Sequence, residues 1–315
     1  MKILLLDKNH PLITEQLSAK GFSFEEDFTS TYEEVLKKIE QYDGIIIRSR
    51  IPIDRRFLEH AINLQFIARV GAGMENIDVD FAEKSGIVLI SSPEGNRDSV
   101  AEHVLGMLLI LMNRLFISSQ EVKNGIWKRE ENRGDELLGK TFGVIGYGNM
   151  GKAVAKRLSG FGCKVIFHDL LPHIGDEFGM QVSLETLKKE ADILSLHLPI
   201  TKETHYLVDE KFISEMEKNF YFVNTARGKN VDTKFLVEAL KSGKVKGAAL
   251  DVLEYEKASF EKLDTDNEDL EFLLQSEKVI VTPHIAGWTI QSKEKLAQVI
   301  VDKILVQFPQ LNISL

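Results

Sequence analysis

The sequence predicts an α/β fold of two doubly wound parallel-sheet domains. Short apolar runs alternate with amphipathic helical stretches, that series occurs twice, and a glycine-rich turn opens the second series. The 315 residues are enough for two domains, each with its own core. Apolar residues at 43% and charged residues at 28% are ordinary globular values, which argues against a largely disordered chain.

In the first series, strands are expected at Ile3 to Leu6, Gly44 to Arg48, Gln65 to Arg69 and Ile87 to Ile90. Amphipathic stretches lie between them, at Pro11 to Lys20, Thr31 to Glu40, Asp54 to His60 and Asp78 to Ser85. Near-continuous apolar strands of this kind belong to a parallel sheet covered on both faces. Ser99 to Ser119 reads as one long apolar helix, too long for a strand and too often interrupted by Glu102, His103, Asn113 and Arg114 for a membrane span. It is expected between domains or in a subunit interface.

The second series starts at Thr141, with strands expected at Phe142 to Ile145, Lys164 to His168, Ile193 to Leu196, Phe220 to Val223, Gly247 to Leu250 and Val279 to Val281. Helices fit the intervals, among them Met150 to Phe161 and Thr233 to Lys241. A last helix, Thr289 to Phe308, is expected to return to the first domain, and the acidic stretch Lys257 to Glu277 to form a surface excursion.

Charge and cysteine usage bound the function. A net charge of −9 argues against a broad nucleic-acid surface, although a few local arginines can still hold an anionic substrate. Cys163 is the only cysteine, so no internal disulfide can form, as suits a reducing compartment. The opening run, Met1-Lys2-Ile3-Leu4-Leu5-Leu6-Asp7, is too short for a signal-peptide core, and no later run reaches the roughly 18 apolar residues of a span. A cytoplasmic protein is expected, with no metal, membrane or nucleic-acid partner.

Gly146-Tyr147-Gly148-Asn149-Met150-Gly151 matches G-x-G-x-x-G. Alone such a match says little, but here a strand precedes it and a helix follows. Gly146 would permit the tight turn, Gly148 the approach of a pyrophosphate, and Gly151 close helix–strand packing. The helix N-terminus offers N–H groups and a positive dipole end to phosphates. Asp169 ends the next strand, eighteen residues after Gly151, where its carboxylate can accept both ribose hydroxyls and repel a 2′-phosphate. The second domain is therefore read as a Rossmann NAD-binding domain, with NAD favoured over NADP.

With these motifs the chain resembles the D-isomer-specific 2-hydroxyacid dehydrogenase family, and its phosphoglycerate dehydrogenases most. Beyond the glycine motif, the likeness rests on RVGAGMENID at Arg69 to Asp78, SVAEHVLGMLL at Ser99 to Leu109, HLPIT at His197 to Thr201 and NTARG at Asn224 to Gly228. It also rests on DVLEYE at Asp251 to Glu256 and TPHIAG at Thr282 to Gly287. The resemblance implies a flavodoxin-like substrate domain of residues 1–97 and 288–315, and an NAD-binding domain of 98–287. It also implies domain closure about hinges near 95–100 and 285–290, and a homodimer with the long helix and the arm around Trp127 in the contact.

By position, the resemblance implies Arg227, Glu256 and His284 as catalytic residues. Their chemistry agrees. Alcohol oxidation needs a base for the hydroxyl proton, and imidazole, titrating near neutrality, can serve both directions. A carboxylate paired to it would stabilise the imidazolium and fix its orientation. A guanidinium fork holds a carboxylate and polarises the adjacent carbonyl. The resemblance places Asn149, Met150, His197, Pro199, Thr225, Ala226, Asp251 and Gly287 along the cofactor, with Met150 acting through its backbone, Asp251 accepting from the carboxamide and His197 given no proton-transfer role.

On the substrate side, the backbone N–H groups of Val70, Gly71, Ala72 and Gly73 could hold a carboxylate in an anion-binding turn. Asn96 resembles the family's Asn near substrate and hinge, or else is a turn or N-cap Asn before the long helix. Arg48, in Arg48-Ser49-Arg50, has the chemistry to meet a phosphate, or else is a solvated loop residue. Three features depart from the pattern: Lys257 where many relatives have Pro, the long acidic segment after it, and an end at Leu315 that leaves no room for a C-terminal regulatory domain, so that serine feedback through one is not expected. The expected reaction is D-3-phosphoglycerate to 3-phosphohydroxypyruvate, as in serine biosynthesis. A glyoxylate, hydroxypyruvate or other 2-ketoacid reductase is the alternative enzyme, and an NAD-sensing corepressor-like binding protein the alternative of another class.

Overall fold

The computed structural model describes residues 1–256 and 267–309, and the chain divides into two compact units, Met1–Asn96 with Trp288–Leu315, and Arg97–Gly287. In the first unit the order is β1 (Lys2–Leu5), α1 (Leu12–Ser18), β2 (Ser23–Glu26), α2 (Tyr32–Leu36), β3 (Gly44–Ile47), α3 (Arg55–His60), β4 (Phe66–Arg69), α4 (Val79–Lys84) and β5 (Val88–Ser91). The strands form one parallel sheet ordered β2-β1-β3-β4-β5, the flavodoxin-like arrangement. β3 is GIII and wholly buried, as a central parallel strand covered on both faces must be. Thr31, Asp54 and Asp78 cap α2, α3 and α4, each side chain accepting a backbone N–H three residues on.

Two helices follow where one was expected. α5 (Pro93–Met112) begins six residues earlier than the apolar pattern indicated, and α6 (Leu115–Lys123) is bent from it by 58°. Arg114 takes a left-handed backbone, φ 52°, at the break, and Asn113 turns its amide back to the Leu109 carbonyl. Such local side-chain bonding by Asn competes with the helical ladder. The expected hinge at 95–100 thus falls within continuous helix. Val100, Ala101, Val104, Met107 and Leu108 pack on Phe142, Val144 and Phe167, which explains the apolar character of α5 by burial in the second unit. No single helix among the described residues is long and apolar enough to cross a membrane.

The second unit continues with β6 (Thr141–Ile145), α7 (Asn149–Leu158), β7 (Lys164–His168), β8 (Met180–Gln181), α8 (Leu184–Glu190), β9 (Ile193–Leu196) and α9 (Glu210–Glu215). β10 (Phe220–Asn224), α10 (Thr233–Ser242), β11 (Val245–Leu250), α11 (Glu268–Gln275) and β12 (Val279–Val281) complete it. The sheet is parallel throughout and ordered β12-β11-β10-β9-β6-β7-β8, so that the chain reverses direction of winding at β6 and β9. That is the Rossmann order, whose ligands bind outside the carboxyl ends of the strands at the reversal.

The acidic stretch needs a correction. Lys257 and the residues to 266 lie outside the described residues, but α11 is not an excursion: Leu270 and Leu273 are buried in the sheet's core cluster. Glu268, Asp269 and Glu271 occupy its first turn, where the helix dipole favours them, behind an Asn267 cap. α12 (Ile290–Gln307) then returns to the first unit, where Ala297, Ile300, Val301 and Ile304 share a buried cluster with Ile3, Leu5, Ile46 and Phe66.

Candidate active site

The turn from β6 into α7 has the geometry of a phosphate loop. Gly146 has φ +91° and donates its N–H to the His168 carbonyl; a Cβ there would lie 2.4 Å from the His197 carbonyl oxygen. A Cβ at Gly151 would fall 2.2 Å from the Gly146 carbonyl oxygen, so only glycine lets α7 approach the turn this closely. At Gly148 the same construction meets nothing within 4 Å, and the residue opens onto a cleft of about 500 Å³. Asn149 and Asp169 line that cleft with Lys152, Ile174 and Phe178, while the Met150 side chain packs toward the core, leaving its backbone at the turn.

The Asp169 carboxylate is held by two backbone N–H groups, Tyr147 to Oδ2 at 2.7 Å and Leu171 to Oδ1 at 2.9 Å. Tyr147 was not singled out from sequence. It is buried, stacks on Phe167 with centroids 3.6 Å apart, and donates its hydroxyl to Asp176, so it bridges the glycine turn to the far wall of the cleft. An acidic residue just past β7, with no cation paired to its carboxylate among the described residues, suits an unphosphorylated ribose.

At the carboxyl end of β9, His197 is buried, with Nε2 against the Ser195 hydroxyl at 2.8 Å. Burial pushes its imidazole down to about 4, so it is neutral near pH 7. Its Nδ1, like Thr225 Oγ1, is a buried polar atom without a partner among the described residues. Two such orphans beside an open glycine turn fit a polar cofactor that completes their hydrogen bonding. Pro199 and Ala226 flank them in the loops after β9 and β10.

Three adjacent strands deliver the catalytic candidates. Arg227 follows β10, Glu256 follows β11 and His284 follows β12, so their loops leave the same edge side by side. Glu256 Oε2 lies 2.8 Å from His284 Nδ1, and Glu256 Oε1 accepts the Leu253 N–H at 2.5 Å, which fixes the carboxylate. The Arg227 turn is clamped from both sides: Asn224 donates its amide to the Arg227 carbonyl, and the Arg227 N–H donates to Asn230 Oδ1. Gly228 brings this turn against the next loop, since a Cβ there would stand 2.0 Å from the Leu253 carbonyl oxygen. Asn224, Asn230 and Gly228 thus position Arg227. Asn224 and Gly228 stood inside the quoted NTARG motif, but nothing in their spacing revealed the clamp.

Asp251 takes a part that the sequence did not disclose. Its Oδ1 accepts from the Thr282 hydroxyl at 2.6 Å and the Ile285 N–H at 2.9 Å, its Oδ2 from the Ala286 N–H at 2.8 Å, and its carbonyl from the His284 N–H. The carboxylate therefore gathers the whole loop ending at Gly287 and holds His284 in a left-handed backbone, φ 55°. Burial pushes this carboxyl upward, and hydrogen bonds from His103, Thr282, Ala286 and Ile285 more than offset it, keeping the group below the usual range. Oδ1 already carries two donors, so the expected bond to a carboxamide is left to Oδ2. His103, whose Nε2 is 3.0 Å from Thr282 Oγ1, joins this network from α5.

The remaining candidates, Arg48, Val70, Gly71, Ala72 and Asn96, belong to the first unit. The anion-binding turn is corrected in part: the Val70 N–H donates to the Ile47 carbonyl and the Gly71 N–H to Ser92 Oγ at 3.0 Å, so both are engaged, leaving Ala72 and Gly73 as the turn's donors. Asn96 lies inside the first turn of α5, not before it, so it is no N-cap; its Oδ1 is buried without a partner among the described residues. Arg48 and Arg50 separate in role. Arg50 donates to the carbonyls of Leu6, Ser30 and Asp27 and knits loops together, whereas the Arg48 guanidinium lies 4.1 Å from the Trp288 ring centroid. No group of His, Cys, Asp and Glu among the described residues could hold a metal ion.

Fold and loops together define a dehydrogenase of two doubly wound units, one with a dinucleotide site. Residues 105–286 match the model of the D-isomer specific 2-hydroxyacid dehydrogenase NAD-binding domain. The chain is 36% identical over 299 residues to hydroxypyruvate reductase of Thermotoga maritima, covering 94% of this chain and 95% of that one. It is 34% identical to D-3-phosphoglycerate dehydrogenase of Archaeoglobus fulgidus over 97% of its own length, but spans only 57% of that protein. Among solved structures, a D-lactate dehydrogenase of Aquifex aeolicus complexed with NAD and lactic acid superposes with TM-score 0.83 at 32% identity, covering 98% of this chain and 96% of the other. The chain belongs to the D-isomer specific 2-hydroxyacid dehydrogenase family, and is an NAD-dependent enzyme of that family.

Proposed function

We propose that this enzyme interconverts D-3-phosphoglycerate and 3-phosphohydroxypyruvate, the step that opens serine biosynthesis. The observation that carries the choice of substrate is Arg48. Its guanidinium stands at the carboxyl end of β3, where open α/β sheets bind ligands, with an aromatic face beside it and no carboxylate joined to its fork among the described residues. A phosphate is the anion such a fork suits.

The first unit acts as the substrate domain and the second as the coenzyme domain. NAD is held by Gly146, Gly148, Asn149, Met150 and Gly151 at its phosphates and by Asp169 at its ribose. His197, Pro199, Thr225, Ala226, Asp251 and Gly287 would hold its nicotinamide end, which would supply the acceptor for the hydride of the hydroxyl-bearing carbon. His284 takes the hydroxyl proton at Nε2, because Nδ1 is directed to Glu256. Glu256 stabilises the imidazolium so formed and keeps the ring from rotating. Arg227 holds the substrate carboxylate and polarises the carbonyl as it forms. Ala72 and Gly73 offer N–H groups to the same class of anion, and Asn96 and Arg48 complete the recognition. In the reverse direction His284 returns the proton to the alkoxide.

Exposed Leu115, Phe116 and Val122 on α6 and Trp127 beyond it, the last 77% exposed, support a homodimer through this arm. The lone cysteine, which can form no internal disulfide, supports a cytoplasmic setting.

A second reading, a hydroxypyruvate or glyoxylate reductase, is favoured by the Thermotoga relative, which matches over 95% of its length where the phosphoglycerate dehydrogenases of Archaeoglobus fulgidus and Methanocaldococcus jannaschii match over 57%. A panel of D-3-phosphoglycerate, D-glycerate and glycolate with NAD, and of the corresponding keto acids with NADH, scored by kcat/KM, decides between them. The phosphorylated pair should exceed the others at least tenfold. A preference for glyoxylate or hydroxypyruvate would replace the proposed substrate.

A further inference from the structure

We propose that Trp288 is a specificity-determining residue: it holds the Arg48 guanidinium face-on, so that the fork is presented to the second anionic group of a dianionic 2-hydroxy or 2-keto acid. The inference rests on the reading of the reaction given above and adds to it a residue outside every motif that pointed to the family.

Four observations carry it. Trp288 is 64% exposed although it is the largest of side chains, so core packing does not account for its place. Its backbone is nonetheless fixed, because Thr289 caps α12 in a reciprocal pair with Ser292. Arg48 is fixed equally well: its N–H donates to Asp7 Oδ2 at 2.6 Å, and its carbonyl accepts from Arg69 Nε at 3.2 Å. Between these two anchors the guanidinium carbon lies 4.1 Å from the indole centroid, within cation–π range.

A guanidinium stacked on a ring engages it through its π face and keeps its five in-plane N–H donors for something else. Among the described residues they meet nothing else: this side chain has the indole face and the Coulombic attraction of Asp7. Burial pulls the guanidinium's pKa below its ordinary value against that attraction, as befits a cation that has shed water without an ion-pair partner among the described residues. An oriented, partly dehydrated and unpaired fork costs stability unless a ligand completes it. A phosphate or a carboxylate on the carbon chain of the substrate has the charge and the geometry to do so. A substrate with only the one carboxylate gains nothing from it.

The test uses the full-length protein and NADH with 3-phosphohydroxypyruvate, 2-oxoglutarate, hydroxypyruvate and glyoxylate. The quantity read is the ratio of kcat/KM for a dianion to that for a monoanion. Trp288→Leu should lower this ratio at least tenfold, mainly through KM for the dianion. Trp288→Phe, which keeps a ring face, should restore most of it. Leu and Phe both fill space, so a merely structural role would not separate them. The phosphate and carboxylate arms tell which anion the fork prefers.

A second measurement needs no turnover. In a Trp127→Phe background Trp288 is the only tryptophan, and its emission should change saturably with D-3-phosphoglycerate or 2-oxoglutarate but not with glycolate. Arg48→Gln should abolish that response. Wild-type protein that fails to turn over 3-phosphohydroxypyruvate while Trp288 still responds to dianions overturns the substrate reading and leaves the clamp standing. Emission indifferent to every dianion, or a ratio that moves less than twofold in Trp288→Leu, overturns the clamp.

Discussion

Glu256 Oε2 and His284 Nδ1 are 2.8 Å apart, joined across loops that leave neighbouring strands β11 and β12. The contact places one ring nitrogen against a carboxylate, so the proton transfer proposed above is given to the other. His284→Ala should lower kcat by about 10²–10⁴-fold, the usual worth of a positioned general base. Glu256→Gln keeps the shape and removes the charge, and should lower kcat by a smaller factor. Steady-state rates with NAD, beside calorimetric NAD affinities, check both. A His284→Ala protein with undiminished kcat would remove the base from the mechanism.

Gly228 sets the distance between the Arg227 turn and the loop that leads to Glu256. A methyl group added there must displace the Leu253 carbonyl, now 2.0 Å from the Cβ position. Gly228→Ala should destabilise the protein by about 1–3 kcal/mol, as overpacking does, and lower kcat/KM through Arg227. Thermal denaturation and kinetics on the same preparation measure the two effects. A variant with wild-type Tm and rate would show that the turn moves aside.

Asp169 is the residue we propose to disfavour a 2′-phosphate. Asp169→Ala should raise the ratio of NADP to NAD efficiency at least tenfold, about 1.4 kcal/mol. Part of any overall loss will come from the Tyr147 and Leu171 N–H groups that the carboxylate now satisfies, so the ratio is the informative number. An unchanged ratio would place the determinant elsewhere in the cleft.

His197 makes stability depend on pH. Its folded pKa is depressed to about 4 by burial, below the unfolded value near 6.5, so between those values the unfolded chain binds more protons. Its contribution is fully present above pH 6.5 and is lost as the pH falls toward 4, up to about 3 kcal/mol. Denaturant midpoints for wild type and His197→Asn should therefore converge as the pH drops through this window. Parallel curves would mean that His197 does not titrate there.

The elements that escaped notice share a cause. β2 reads SFEE with its side chains exposed or half-buried, an edge strand with no apolar run, and β8 is two residues long. α11 was hidden by acidity, because the carboxylates that suit its first turn look like a solvated loop. The α5–α6 break was hidden in the opposite way, by apolar residues that continue across a left-handed Arg114.

Most of the order of strands and helices and the glycine turn with its acid were legible from the sequence, because each depends on residue type at short spacing, whereas Arg227, Glu256 and His284 were pointed to by the family resemblance. Tertiary structure alone decided how hydrogen-bonding capacity is shared. Gly71 gives its N–H to Ser92, Asp251 gives most of its carboxylate to the loop of His284, and Arg48 rests on a tryptophan 240 positions away. Each donor and acceptor can be satisfied by many partners, and the one it meets is set by which distant loops the sheet brings to the same edge.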